Sequence, residues 1–344
     1  MGFESYNLPS RPERGSINVP RDSDGNTYLH ELIRKDAPPE RIREAIAFGA
    51  NINATNKKNM PPLGVAIQQG KPEIIACLLD LGAEIFFPVG KGANFNAVYL
   101  AADTGRTAAL NMLLAKGGGA WVNSPGLAQD GTPAKWNPLH IAIKTYHYDM
   151  IAPLVAAGAL VNEEAGPERA TPLMLAIANN TAGGVRQVLN AGADLERRHS
   201  DTGRTPLDYA VWGRNGVAAR ALVEFGADVN AMDKTGLTPL MIAAENGDTA
   251  MAGILIGAKA DIDLRRGGNN RETALMRAAH KGSSDVVKAL LKAGADPILT
   301  DSFNHTALKY AENAYQHGTR FVLEEAEQKA LQKHFEASYR KYRP

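Results

Sequence analysis

The chain has 344 residues, 44% apolar and 22% charged, so it can bury a core and lies far from the composition that leaves chains unfolded. Its 38 Lys and Arg against 37 Asp and Glu leave a formal charge of +1, which excludes a protein whose main work is to coat nucleic acid or anionic lipid. A single cysteine, Cys77, excludes an internal disulfide framework, a cysteine-based zinc site and a CxxC redox pair, and fits a reducing compartment.

Residues 1–23 carry Pro9, Pro12 and Pro20 and no apolar stretch, so they read as a flexible N-terminal arm and not as a secretory signal. Tyr6 stands where a myristoylation signal needs Ser or Thr. The longest apolar run, Met150 to Val161, is broken by Pro153 and Gly158 and is too short for the roughly 30 Å hydrocarbon core. A soluble, cytoplasmic chain without a transmembrane segment is expected, or one delivered into a host cell.

From Asp24 onward the sequence repeats with a period near 34 residues. One mark is Gly-Ala-Asp/Asn-hydrophobe, seen at Gly49, Gly82, Gly158, Gly192, Gly226 and Gly294, with weaker copies at Gly119-Ala120 and Lys259-Ala260. The second is Thr-Pro-Leu at Thr171, Thr205 and Thr238, with degenerate versions at Thr27, Pro61, Asn96, Asn137, Thr273 and Thr306. Nine units result. Thr-Pro starts a helix, because the hydroxyl caps free backbone N–H groups and Pro at the first helical position lacks an N–H that would go unpaired. A Gly such as Gly70, Gly105, Gly247 or Gly282 stops it in the left-handed conformation. A second apolar helix follows, such as Asp285 to Lys292, and the Gly of Gly-Ala-Asp ends that one. Each unit is thus two short antiparallel helices plus a projecting turn, and such pairs bury their alanine and leucine rows only against neighbouring units.

The pattern departs from regularity at three places. Ser124 to Lys135 reads as an insertion, within which Thr132-Pro133 is a decoy, since the next helix begins at Asn137-Pro138. Lys259 replaces the turn glycine, at a cost on the order of 1 kcal/mol if it sits in the left-handed region. After the ninth unit Arg320 to Tyr342 reads as one helix with Leu331, Phe335, Tyr339 and Tyr342 along a stripe, expected to cap the last unit.

These units resemble ankyrin repeats, whose T-P-L-H-x-A pattern is matched closely by Asn137-Pro138-Leu139-His140-Ile141-Ala142. The resemblance covers Asp24 to Gly318. It implies an all-α ankyrin-repeat solenoid of about nine units over 24–318, with projecting β-turns and a C-terminal capping helix over 319–344. It also implies protein binding by the turn tips and the exposed side of each first helix, along a concave face. His30 and His140 occupy the family's histidine position, where the ring bonds turn backbone.

Nothing in the residues points to catalysis. The eight histidines make no helical i, i+3 or i+4 pair, Gly90-Lys91-Gly92 lacks the further glycines of a phosphate loop, Glu163-Glu164 are neighbours in a loop, and Cys77 lies inside an apolar helix. No enzyme activity, cofactor or metal is expected. The residues just before the Thr position include Met60, Phe95, Trp136, Arg204 and Leu237, and the ends of the first helices carry Trp212, Glu245 and Lys281. Met60, Phe95 and Trp136, in consecutive units, either pack under their own turns or form an anchor row. Trp212 is either an exposed hot spot or covered by the Gly213 to Gly216 loop. The function expected is a monomeric, non-enzymatic module or scaffold binding a protein segment, with no nucleic-acid or membrane partner. Alternatives are an inhibitor or immunity-type protein that probes an enzyme with Ser124 to Lys135, or a host-directed bacterial effector. Leu222 to Asn230 also resembles the ankyrin segment that asparaginyl hydroxylases accept, Asn230 being either modified or a structural turn residue.

Overall fold

A computed structural model describes residues 9–90, 93–126 and 135–341. The chain divides into two compact units, one formed by residues up to 175 with 190–192, the other by 176–189 and 193 onward. The first contains α1 (Tyr28–Arg34) and α2 (Pro39–Ala47), α3 (Pro62–Gln69) and α4 (Pro72–Asp80), α5 (Ala97–Thr104) and α6 (Thr107–Ala115), α7 (Pro138–Lys144) and α8 (Ile151–Ala156), and the start of α9 (Pro172–Ala178). The second holds the rest of α9 with α10 (Ala182–Asn190), then α11 (Pro206–Trp212) and α12 (Gly216–Glu224), α13 (Pro239–Asn246) and α14 (Thr249–Gly257), α15 (Ala274–Lys281) and α16 (Ser284–Lys292), and α17 (Ala307–Asn313) and α18 (His317–Lys341). Nine helix pairs are therefore present among the described residues, the ninth completed by α18, which runs past Gly318 through the segment expected to be a separate cap.

Within each unit like stacks on like. First helices α1, α3, α5 and α7 pack in series, as do α11, α13, α15 and α17, with second helices α2, α4 and α6, or α12, α14, α16 and α18, behind them. The contacts bury Ala66, Ala101, Ala102, Ala243, Ala244, Ala278 and Ala279 completely, small side chains that let neighbouring helix backbones approach closely. Starts follow the anticipated chemistry: the hydroxyls of Thr205, Thr238, Thr273 and Thr306 accept from the third helical N–H, and Pro206 and Pro239 open α11 and α13.

The turns are stitched to one another. Asn18 Oδ1 accepts from Asn51 N at 2.7 Å, Asn53 Oδ1 from Glu84 N at 3.1 Å and Asn123 Oδ1 from Leu160 N at 2.9 Å in the first unit. In the second, Glu196 Oε1 accepts from Asp228 N, Asn230 Oδ1 from Asp261 N and Asp263 Oδ1 from Asp296 N, at 2.8 to 3.1 Å. Asn230 thus has a structural task in the turn.

Four expectations need correction. In the third pair the left-handed residue that ends α6 is Gly117 (φ 91°), so the mark there is Gly117-Gly118 and not Gly119-Ala120. An antiparallel hairpin, β1 (Phe86–Gly90) and β2 (Ala93–Asn96), replaces a simple turn before α5, pairing Phe87 with Phe95; Phe86 stacks face to face on Trp121 at 3.9 Å. The N-terminal arm is packed well before residue 23: Ile17 is buried, Asn18 Nδ2 donates to Gly49 O at 2.9 Å, and the Arg11 guanidinium lies 3.6 Å from the Phe48 ring centre. No separate capping helix follows the ninth unit among the described residues: the expected cap is α18 itself, the second helix of the last pair, which buries Thr319 and Leu323 while Leu331 and Phe335 stay exposed; the side chains of Tyr339 and Tyr342 lie outside those described. Most of the Ser124 to Lys135 insertion, including Thr132-Pro133, also lies outside the described residues, and its start is fixed by Asn96 Nδ2 donating to Ser124 O at 2.7 Å. No helix among the described residues is long and apolar enough to cross a membrane.

Candidate functional site

Four of the eight expected contact residues do not reach the surface. Met60, Phe95, Trp136 and Leu237 are buried, none more than 8% exposed, because each turn folds its side chain beneath the helix that follows. The Met60 carbonyl takes the His30 Nε2 contact at 3.0 Å, and Phe95 packs on Phe87 within the hairpin. Trp136 lies tilted over His140, with its six-membered ring edge against Gly166 in the next turn, where no Cβ would fit. The proposed anchor row is therefore core, and it binds turn to helix within the protein.

Arg204, Trp212, Glu245 and Lys281 all lie in the second unit, outside its core. Trp212 is 47% exposed at the end of α11, so the Gly213 to Gly216 loop does not cover it. That loop is held elsewhere: Asn215 Nδ2 donates to Ile177 O at 2.9 Å and Arg214 Nη2 to Asn246 O at 2.8 Å. The Arg204 guanidinium sits 4.3 Å from the Trp212 ring centre, a cation–π contact that fixes the indole, and its Nε stands 3.9 Å from the buried Asp233 carboxylate.

Glu245 and Lys281 line a pocket of about 350 Å³ together with Glu272, Arg277, His280 and Tyr310. Arg277 is its hub: Nη1 pairs with Glu272 Oε2, and Nη2 pairs with Glu245 Oε2 at 2.8 Å. Arg266 reaches the same Glu272 oxygen at 3.4 Å. The Tyr310 hydroxyl stands 3.1 Å from Glu272 Oε1 and 2.9 Å from Asp301 Oδ2. Burial and these two carboxylates push the Tyr310 phenol far above its ordinary range. Burial also works against the Asp301 carboxylate, but the N–H groups of His305 and Phe303 and the Tyr310 hydroxyl outweigh it and hold that acid below its usual value. His280 and Lys281 are exposed at the rim.

The pocket was only partly legible. A weak signal for its deeper members existed: four residues after the cap, where five pairs carry Val65, Leu100, Ile141, Leu175 and Ile242, the last two carry Arg277 and Tyr310, although Glu31 and Tyr209 stand there in the first and sixth pairs as well. Chemically, the site presents an aromatic ledge with a cation on it and, two repeats on, a recess whose charges are already paired, a combination suited to reading the side chains of a bound segment. Among the described residues no three His, Cys, Asp or Glu side chains gather as metal ligands would. Cys77 is buried, its thiol raised by that burial.

Known proteins share this architecture. The family model for ankyrin repeats (3 copies) matches residues 139–233, 173–266, 215–301 and 240–332, together more than half of the chain. The chain is 41% identical over 81 residues to the rice protein named Probable E3 ubiquitin-protein ligase XBOS34, and 38% identical over 79 residues to mouse ankyrin repeat and SAM domain-containing protein 6. Each alignment covers 23% of this chain but only 16% and 9% of those relatives, so it spans a small part of their length. The crystal structure of the ankyrin repeat domain of Bcl-3, described as a unique member of the IkappaB protein family, superimposes with a TM-score of 0.51 and 25% identity, covering 73% of this chain and 93% of that one. The repeating helix pairs, their caps and these matches agree: the chain belongs to the ankyrin-repeat family.

Proposed function

We propose that this protein is a non-enzymatic recognition module that holds a protein segment against the first-helix face of its second unit. Trp212 is the apolar anchor, Arg204 holds the indole and offers its remaining charge, and Glu245 and Lys281 select polar neighbours at the rim of the Arg277 pocket. The observation that carries this reading is the half-exposed indole, fixed by a cation where a helix end ordinarily presents a small or polar group. Such a preformed surface costs little ordering on binding. The ligase activity in the rice relative's name belongs to that longer protein and supplies no role here.

Affinity capture with mass-spectrometric identification of what is held, followed by binding measurements on the purified partner, tests the assignment. Trp212→Ala should weaken the identified complex by about 2 kcal/mol or more, the usual loss at a central aromatic. Phe225→Ala, at the end of α12 and exposed, should leave it intact. Equal affinity for wild type and Trp212→Ala, with helicity preserved, removes the site.

A further inference from the structure

On the first helices of the second unit the acids already have partners. Glu245 and Glu272 share Arg277, Arg266 stands beside Glu272, and Glu312 pairs with Lys309 at 3.1 Å. Asp208 is buried. The cations are not matched in the same way. Among the described residues Lys281 has no carboxylate partner, and Arg214 donates to a carbonyl, that of Asn246, at 2.8 Å. Both are exposed. Arg204 lies over the Trp212 ring, and only its Nε nears an acid, the buried Asp233 at 3.9 Å. These groups form one continuous strip. Trp212 and Arg214 stand at the end of α11, Arg214 holds the last residue of α13, Glu245 beside that residue lines the pocket, and Lys281 at the end of α15 lines it too.

Unmatched cations beside a half-exposed indole complement a segment that brings carboxylates together with an apolar side chain. Helices α11, α13 and α15 pack in series at about 10 Å, so the two ends of the strip lie about 20 Å apart, or about six residues of extended chain. We propose that the segment held at Trp212 is an acidic one: an apolar residue covers the indole, a carboxylate beside it meets Arg204 and Arg214, and a second acid about six residues along meets Lys281. This names the partner of the site proposed above and rests on that reading. A nucleic-acid strand also offers anions, but the Glu245 side chain, 52% exposed, stands midway along the strip and repels a chain that carries a phosphate at every residue. A peptide can set an uncharged residue there.

Selection on the immobilised full chain, from a displayed library of random peptides long enough to reach both ends of the strip, tests this. Enriched peptides should carry Asp or Glu beside an aromatic or large aliphatic residue, with a second acid about six positions away. Binding of a synthetic copy, read by fluorescence anisotropy, should weaken as salt rises. Lys281→Glu should raise its dissociation constant by about fivefold or more, because reversal exchanges an attraction for a repulsion. Lys in place of the distal acid of the peptide should restore affinity for Lys281→Glu and lower it for wild type. Arg214→Glu should act in the same way on the proximal acid. Both substituted residues are exposed, so helicity and melting midpoint should stay at the wild-type values. Trp212→Ala separates the partner from the site. Enriched peptides that need Trp212 but show no preference for acid overturn the partner and keep the site, whereas acidic peptides that bind Trp212→Ala unchanged overturn both. The proposal also fails if the library yields no binder, if the dissociation constant is indifferent to Lys281→Glu and Arg214→Glu, or if an oligothymidylate strand displaces the peptide at about 0.15 M salt.

Discussion

Asp208 stands where the first and fourth pairs carry a histidine. In those pairs His30 and His140 meet the cap residue with Nδ1 and reach the next turn with Nε2, 3.0 Å from Met60 O and 3.2 Å from Ala170 O. Asp208 keeps the cap, its Oδ2 accepting from Thr205 N and Oγ1 at 2.9 and 3.0 Å, but its buried Oδ1 has no hydrogen-bond partner. Burial pushes this carboxyl up to about 6 from 3.8, partly offset by the two Thr205 bonds. A raised acid stabilises the fold fully below its unfolded value and loses that contribution as pH rises through the folded one, here between about 4 and 6, by at most roughly 3 kcal/mol. Asp208→Asn retains an acceptor for Thr205 and carries no charge. It should therefore raise the urea midpoint at pH 8 and change it little at pH 4; a lower midpoint at pH 8 would show the carboxylate to be stabilised. Lys259 shows backbone strain of a different kind. It adopts φ 63°, against 87° to 108° for the glycines at the same place, so the turn tightens to fit a side chain. Lys259→Gly should raise stability by no more than about 1 kcal/mol, since glycine's extra unfolded entropy opposes the relief.

At the scale of elements, α13, α15 and α17 are tied by polar groups as well as by alanine packing. Arg277 from α15 pairs with Glu245 of α13 and with Glu272, just before α15, and Tyr310 from α17 reaches the other oxygen of Glu272. Tyr310→Phe removes one hydroxyl that two carboxylates share, and the loss should be about 1 to 3 kcal/mol, the cost of leaving partly buried acceptors without a donor. A denaturant melt followed by helicity reads it. The turn after α6 makes the opposite point about space. Siblings place alanine after the turn glycine, but at Gly118 a Cβ would come within 2.7 Å of the Leu113 carbonyl oxygen and 3.0 Å of Val98 Cγ2. Gly118→Ala should thus destabilise the first unit by about 1 to 3 kcal/mol through overpacking, although alanine is the commoner residue there.

For the molecule as a whole, a net charge of +1 hides two units that respond to acid in opposite ways. In the first, burial lowers His30 and brings His140 down to about 4, while hydrogen bonds from Asn26 lower Asp22. These groups stabilise above their unfolded values, so the contribution of both histidines fades as pH falls below about 6.5, for His140 down toward about 4. In the second, burial raises Asp208, Glu196 and Asp263, whose contribution returns as pH falls, with Asp301 and Glu325 pulling the other way. Between pH 7 and 5, hydrogen exchange corrected for intrinsic rates should show protection falling over α1 and α7 and holding or rising over α11. Uniform loss over both would mean that the chain unfolds as one cooperative block, not in parts.

The sequence by itself determined the helix pairs, their number and most of their ends, because a capping Thr, a Pro at the first helical position and a left-handed Gly act on backbone groups within four residues. The period then dictated that like helices stack. Tertiary structure decided which side chains remain outside. By sequence Met60, Phe95 and Trp136 could pack under their own turns or form an exposed row, and all three, like Leu237, are buried. Leu331 and Phe335 look like the covering face of a cap, yet the helix turns its alanine side inward. Besides partners within its own repeat, Arg277 gains Glu245, and Tyr310 gains Glu272, from the repeat before it. Capping is a local interaction, whereas burial depends on surfaces about one repeat apart, and that distance is bridged only by folding.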